Sequence, residues 1–277
     1  MDLFYESKYN FGIETSIGDK GYNMSYFHYH NEYELFILDD GSRSIIIGDT
    51  IVNLSKFDVG LIPANTFHRT AGTYFSRTIL YFSSQFLEEY FSPKAIETLI
   101  SCFQIPTLRL APDEYIYVKK KIQHMQKEDI RDPQNKIYLL LGDVLALLSK
   151  KSSTPQSYTP SALETDTLIA QALNYINQHY KTIQSLDEIA SHLFITKYHL
   201  CRIFKQATSM TVNQYLMSLR MKYARELLIS TNKSAAQIAA ECGFSSPIYF
   251  AQYFKKQFSM TPLSYRAQEK QKESETN

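Results

Sequence analysis

Cysteine is scarce: Cys102, Cys201 and Cys242 are the only three among 277 residues. Their number is odd and no two form a C-x-x-C pair. Neither a disulfide framework nor a cysteine zinc site is expected, and a reducing compartment is the default. No stretch of about 18 uninterrupted apolar residues occurs, so no transmembrane helix is expected. The start, Met1-Asp2-Leu3-Phe4-Tyr5-Glu6-Ser7, is acidic and lacks a long apolar run, so no signal peptide is expected. These absences point to a cytoplasmic protein that does not engage a membrane.

A net excess of charge is also missing, since the formal net charge is only +1. Dividing the chain changes that picture. Residues 164–277 hold 13 Lys+Arg against 9 Asp+Glu, whereas residues 1–163 hold 16 against 19. Within 186–266 the balance is 10 against 4. Basic charge gathers in the C-terminal region, a weak footprint of polyanion binding. What is present in quantity is core material. A hydrophobic fraction of 44% and a charged fraction of 21% are ordinary for a soluble chain, and the length suggests two domains.

Residues 22–82 alternate and are rich in Ile, Val, Tyr and Phe. Short runs such as Glu34–Leu38, Arg43–Ile47 and Gly60–Ile62 are separated by Asp39-Asp40-Gly41 and Gly48-Asp49, both read as hairpin turns. Evenly spaced short strands predict a β-barrel or sandwich, with Tyr26, Tyr33 and Phe36 as core aromatics. Helices are predicted over Ser84–Phe91, Ala95–Cys102, Asp113–Lys127 and Pro133–Lys151. In the last, Ile137, Leu140, Leu141, Val144, Leu145 and Leu148 share one face. That stripe leaves two readings, a dimer interface or a face buried within one protomer. Ser152–Ser161 has linker composition, and Gln268–Asn277 is a polar tail expected to fray.

The strongest internal signal is a repeat. Ile189-Ala190 recurs as Ile238-Ala239, Phe204-Lys205 as Phe254-Lys255, and Ser209-Met210-Thr211 as Ser259-Met260-Thr261. The offset is 49 in the first pair and 50 in the others, so one residue is inserted in the turn of the second copy. In the first copy Ser185 and Glu188 form a capping box before a helix to about Leu193, and Thr196 caps a helix over Lys197–Thr208. In the second, Ser234 caps a helix to about Cys242, Gly243 supplies the turn, and Ser246 with Pro247 opens the next helix. Leu186, Ile189, Ala190, Leu193, Leu200, Ile203 and Phe204 are expected in the core. Each copy reads as a helix-turn-helix, whose second helix suits a major groove. A helix over Val212–Ser230 joins them.

These residues resemble the AraC/XylS family of bacterial transcription regulators from about Leu186 to Arg266. The diagnostic run is Ile238-Ala239, Cys242-Gly243-Phe244, Tyr249-Phe250, Phe254-Lys255-Lys256, Met260-Thr261-Pro262 and Tyr265-Arg266. So many fixed spacings do not match by chance. The family usually has Gly where Ser209 and Ser259 stand, a position that favours positive φ. The resemblance implies DNA contacts from Lys197, Tyr198, Cys201, Arg202 and Lys205 in the first copy. In the second copy it implies Ile248, Tyr249, Gln252, Lys255 and Lys256. Arg202 suits guanine and Gln252 adenine, while Lys205, Lys255 and Lys256 suit phosphates.

In the N-terminal half, His28, His30 and Glu34 follow H-x-H-x3-E, and His68 comes on a later hairpin after Pro63-Ala64-Asn65. Positions i, i+2 and i+6 of a strand lie on one face. Three imidazoles and a carboxylate suit a first-row divalent metal such as zinc, manganese or iron. They equally suit an effector pocket or a purely structural hydrogen-bond set. The arrangement resembles the two motifs of the cupin superfamily over about Gly21 to Gly72, although Gly21 is one residue too far from His28 and Asn65 replaces the usual Gly. The N-terminal domains of many AraC-type regulators resemble cupins and bind a small effector, often a sugar, inside the barrel, and many of them keep such histidines without using a metal.

The expected fold is therefore α+β in two domains. Residues 1–151 form a cupin-like β-barrel with flanking helices, which binds an effector and is a candidate for dimerisation. Residues 152–163 form a linker, and 164–277 an all-α tandem helix-turn-helix domain. His28, His30, Glu34 and His68 are the effector residues, with the same four as metal candidates. No cofactor and no catalytic residue are assigned. The partners implied are double-stranded DNA, a small effector such as a sugar, RNA polymerase and a second copy of the chain, with no membrane. The expected function is sequence-specific transcription regulation, as an activator rather than an enzyme. The alternative is a metal-dependent cupin enzyme fused to a DNA-binding domain, recognisable by tightly bound metal with turnover. A purely structural adaptor would show no specific DNA binding.

Overall fold

The computed structural model describes residues 10–18, 28–132, 135–153, 164–208 and 210–276. The expectations placed on Gly21, Tyr26, Pro133, Ser209 and most of the 152–163 linker lie outside them. The described residues fall into two compact units, one ending at Ser153 and one beginning at Glu164. No helix among them is long and apolar enough to cross a membrane.

The first unit is built on an antiparallel sheet of β1 (Phe11–Gly18), β2 (Glu32–Ile47), β3 (Thr50–Ser55), β4 (Asp58–Ile62), β5 (His68–Ser83) and β6 (Thr107–Arg109). Its order is β1-β5-β2-β4-β6, and β3 pairs with the far half of β2. Gly48-Asp49 makes the expected tight turn, with Ile47 paired to Thr50 and Gly48 at φ +60°. Asp39-Asp40-Gly41 does not turn the chain. Glu34–Leu38 and Arg43–Ile47 are two parts of one strand paired along its length with β5, and the acidic-Gly segment is a bulge in it. Gly41 sits there at φ +87°, with Tyr74 O only 2.1 Å from where a Cβ would lie. Such an extra residue bends a strand, and the hydrophobic pattern confirms the bend. Phe36 and Leu38 from one end of β2 share a core with Ile45 and Ile47 from the other, together with Val52, Leu54, Ile62, Phe75 and Ile79.

The alternate residues face the other way. Leu35, Ile37, Val59, Leu61, Leu80 and Phe82 pack under α1 (Ser84–Tyr90), α2 (Pro93–Leu99), α3 (Pro112–Met125) and α4 (Ile137–Ser152). The two-residue period of the side chains thus divides the sheet's residues between two cores. Ala95–Cys102, expected as one helix, is α2 followed by a short 3-10 turn at Ser101–Gln104. The α4 stripe belongs to the sheet-facing core. Ile137, Leu141, Val144, Leu145 and Leu148 are fully buried and Leu140 is partly buried against them, which places this face in the unit's own core. Phe36 is buried, and Tyr33 packs against Phe82 and Phe103, as core aromatics.

The second unit is all helical: α5 (Glu164–His179), α6 (Leu186–His192), α7 (Lys197–Thr208), α8 (Val212–Ser230), α9 (Ala235–Glu241), α10 (Pro247–Phe258) and α11 (Pro262–Thr276). Side-chain caps from Ser185, Thr196, Thr211, Ser234 and Ser246 start five of them where the sequence places them. Each satisfies a backbone N–H that the helix cannot. The C-terminal residues expected to fray continue α11 as far as Thr276. Arg220 donates to Tyr180 O (2.8 Å) and Ile183 O (2.7 Å), tying α8 to the segment before α6. Arg266 donates to Leu228 O (2.9 Å) and Lys233 O (2.6 Å), tying α11 to the end of α8 and to the segment before α9.

Candidate nucleic-acid interface and histidine cluster

The repeat holds at the level of single hydrogen bonds. After α6, Leu193 N donates to Ile189 O, Phe194 N to Ser191 O and Ile195 N to Ala190 O. After α9, Cys242 N donates to Ile238 O, Gly243 N to Ala240 O and Phe244 N to Ala239 O. Phe194 and Gly243 occupy the same turn position, and both are left-handed, at φ +55° and φ +83°. The second turn is one residue longer before the next helix, which accounts for the change of offset. Each turn sets a recognition helix, α7 or α10, across a scaffold helix. Leu200, Ile203 and Phe204 hold α7 down, and Phe250 and Phe254 hold α10 down, all of them buried.

With those faces buried, the opposite faces point outward. Residues four apart stack on one stripe. On α7 that stripe is Tyr198, Arg202 and Gln206, all exposed, with Tyr198 79% exposed. Arg202 Nη1 donates to Gln206 Oε1 at 3.4 Å, and Nη2 lies 3.2 Å from His199 Nδ1. The guanidinium is thus held outward, and Gln206 and His199 are residues the sequence reading did not single out. Helical spacing alone, i+4 from Arg202, would have found Gln206. On α10 the matching stripe is Ile248, Gln252 and Lys256, with Tyr249 and Lys255 flanking it, all exposed. Lys205 is exposed as well. Cys201 is half-buried at the margin of its stripe, and Lys197 is engaged by Asp187 at 2.9 Å. The joining helix α8 has 19 residues, or about 28 Å at 1.5 Å per residue.

In the first unit, the four residues His28, His30, Glu34 and His68 come together. His28 and His68 exchange backbone hydrogen bonds, His28 N to His68 O at 3.1 Å and His68 N to His28 O at 3.0 Å. Their rings lie 4.1 Å apart, and those of His30 and His68 4.9 Å apart. Asn65, where the cupin pattern has Gly, takes φ +58°. Asn tolerates that region, so the substitution keeps the turn.

Two imidazoles converge on one carboxylate oxygen. His30 Nδ1 donates to Glu32 O at 3.0 Å, and its Nε2 lies 3.1 Å from Glu34 Oε2. His68 Nδ1 donates to Thr66 O at 2.9 Å. His68 Nε2 faces the same Glu34 oxygen at 3.4 Å without hydrogen-bond geometry. Burial opposes charge on His30, but the hydrogen bonds and negative charge of Glu32 and Glu34 outweigh it and raise its pKa to about 9. Burial also opposes charge on Glu34, yet the hydrogen bond with His30 and the closeness of the His68 imidazole hold its pKa well below the usual range. His28 is pushed the other way, to about 3, by burial and by the neighbouring His68, with His30 and Arg77 adding to the effect against Glu34.

This donor set fits a divalent ion. One nitrogen from each of His28, His30 and His68 lies within 4.8 Å of the others. Nδ1–H bonds to backbone carbonyls fix His30 and His68 with Nε2 inward, the arrangement metal-binding histidines need. A cation among those nitrogens would also satisfy the His68 Nε2. His30, Glu34 and His68 are buried, while His28 is half-buried and therefore forms the cluster's approach to solvent.

Comparison with known proteins agrees with the interface. A helix-turn-helix domain family matches residues 189–268. The HTH-type transcriptional activator RhaR of Escherichia coli is 25% identical over 89% of this chain and 88% of its own. RhaR of Mannheimia succiniciproducens is 34% identical over 51% of this chain and 59% of its own. The regulatory protein PocR of Salmonella typhimurium is 33% identical over 43% of this chain, which spans 38% of PocR. The tandem turns, the outward recognition stripes and these relatives together make the molecule a DNA-binding transcription regulator whose helix-turn-helix region is similar to those of AraC-type regulators.

Proposed function

We propose that this regulator reads two successive major grooves with α7 and α10, and that a small effector at the His28–His30–Glu34–His68 cluster tunes that binding. The observation that carries the proposal is the duplicated turn, which presents two equivalent outward stripes in one unit. A recognition helix enters the major groove with its N-terminal residues toward the bases. The span of α8, about 28 Å, is close to the roughly 34 Å between grooves on one face of a duplex. Arg202 pairs with guanine in one half-site, and Lys205, Lys255 and Lys256 contact phosphates.

The effector meets His28 first, because His28 is half-buried whereas the other three residues are buried. Polyhydroxy compounds such as sugars suit imidazoles and a carboxylate through hydrogen bonds, and a bound divalent ion would add direct coordination of a hydroxyl. An effector shifts DNA affinity only as far as its own affinity differs between two arrangements of the protein. The chain acts in the cytoplasm as an activator, like the RhaR proteins it resembles, recruits RNA polymerase and catalyses no reaction.

Site selection from random DNA tests the two-groove reading. Arg202→Ala should relax preference at one or two base pairs, with a loss of about 1–3 kcal/mol of discrimination. Gln252→Ala should act about 10 base pairs away. The proposal is wrong if both substitutions alter the same base pairs, or if neither alters any.

A further inference from the structure

The two recognition stripes are equivalent in position and unlike in chemistry. At an offset of 50, Tyr198, Arg202 and Gln206 of α7 correspond to Ile248, Gln252 and Lys256 of α10. The α7 stripe centres on a guanidinium braced by His199 and Gln206. The α10 stripe begins with an isoleucine that is 72% exposed, followed one turn later by an exposed amide. Its positive charge comes only at the far end, in Lys255 and Lys256.

That order fixes what each residue can meet. The helix opens at Pro247 with Ser246 as its cap, so Ile248 and Tyr249 belong to its first turn. The N-terminal turns of a recognition helix go deepest into the groove, while its C-terminal end meets the backbone. Lysines in the last turn suit phosphates. An isoleucine side chain makes no hydrogen bond, so it gains nothing from a phosphate or from the polar edge of a G·C pair. The C5-methyl of thymine is the one apolar group the major groove displays. Gln252, one turn further along the same stripe, has the donor and acceptor that match adenine N7 and N6. Both side chains therefore select the same kind of base pair. Tyr249 flanks them, 49% exposed, with its ring 6.0 Å from that of Tyr253.

We infer that the second helix-turn-helix reads an A·T element, with Ile248 packed on a thymine C5-methyl and Gln252 paired with an adjacent adenine. The inference rests on the two-groove reading. Under it the operator is asymmetric: the half-site under α7 is defined by guanine and the half-site under α10 by A·T pairs.

Deoxyuridine is thymidine without the methyl group, which makes it the direct probe. The full-length protein is titrated against its selected site, with each thymine of the α10 half-site replaced in turn by deoxyuridine. At one position, loss of the methyl should weaken binding about fourfold, the equivalent of one buried carbon group. Deoxyuridine in the α7 half-site should have no comparable effect. Ile248→Ala should bind the thymine and deoxyuridine sites equally, while Ile248→Val keeps a preference for thymine. Because Ile248 is exposed, the variant should fold, and retention of the Arg202-dependent guanine preference verifies that. Equal binding of thymine and deoxyuridine by the unaltered protein overturns the inference, as does a selected α10 half-site without thymine. If Arg202→Ala and Gln252→Ala perturb the same base pairs, the two-groove reading itself has failed.

Discussion

Gly243→Ala isolates the turn on which the second recognition helix depends. The residue sits at φ +83°, and its missing Cβ would lie 2.4 Å from Lys181 O, 2.9 Å from Lys181 C and 3.0 Å from Lys181 Cα. Left-handed backbone costs a residue with a Cβ about 1 kcal/mol. The clash adds about 1–3 kcal/mol, because the atoms that must yield are backbone rather than a flexible side-chain tip. A loss of about 2–4 kcal/mol is expected, local to α9 and α10. At about 1.4 kcal/mol per factor of ten, their slowest amides should exchange roughly thirtyfold faster or more, read by hydrogen exchange on the full chain. Phe194→Gly is the matched control. Phe194 holds the same turn position at φ +55°, and its ring is 96% exposed. That substitution removes strain and no packing, so α6 and α7 should be unchanged or more stable by up to about 1 kcal/mol. Unchanged exchange in Gly243→Ala, or faster exchange around α6 and α7 in Phe194→Gly, would refute the reasoning.

Three further outcomes are expected. Lys255→Ala and Lys256→Ala should each weaken binding to every DNA sequence and lower the slope of log affinity against log salt by about one unit; unchanged slopes would remove them from the phosphate contacts. Ser259→Gly should raise the melting temperature, since Ser259 holds φ +60° after α10 and glycine relieves up to about 1 kcal/mol there; a lower melting temperature would contradict the strain. His28→Ala with His30→Ala should abolish the response of DNA binding to effector without changing effector-free affinity, and a normal response would dismiss the cluster. Elemental analysis of the purified protein, repeated with His68→Ala, shows whether the cluster holds a divalent ion.

Much of this protein is local in origin, and the chain reveals it. Ser185, Thr196, Ser234, Ser246 and Pro247 mark helix starts because a cap works within three or four residues of itself. Gly243 announces its turn because few other residues accept that backbone. The repeat, the two recognition helices and the resemblance to AraC-type regulators follow from such short-range signals. The strand-like N-terminal half, its His-x-His pair and the helical stripe at 137–148 are legible for the same reason.

Tertiary structure decided the rest, because those matters depend on residues distant in sequence. Asp39-Asp40-Gly41 looks like a hairpin turn by composition, yet β2 continues through it because β5 pairs with both sides. Phe194 gives no sign in the sequence of its left-handed conformation, which the packing of α6 against α7 imposes. The 137–148 stripe could face a partner or its own sheet, and only the folded core assigns it to the latter. The sequence also supplied three histidines and a carboxylate without their geometry. That His30 and His68 converge on one oxygen of Glu34, with His28 left at the opening, required strands forty residues apart to pair, since hydrogen-bond distances between side chains follow from strand register and not from spacing along the chain.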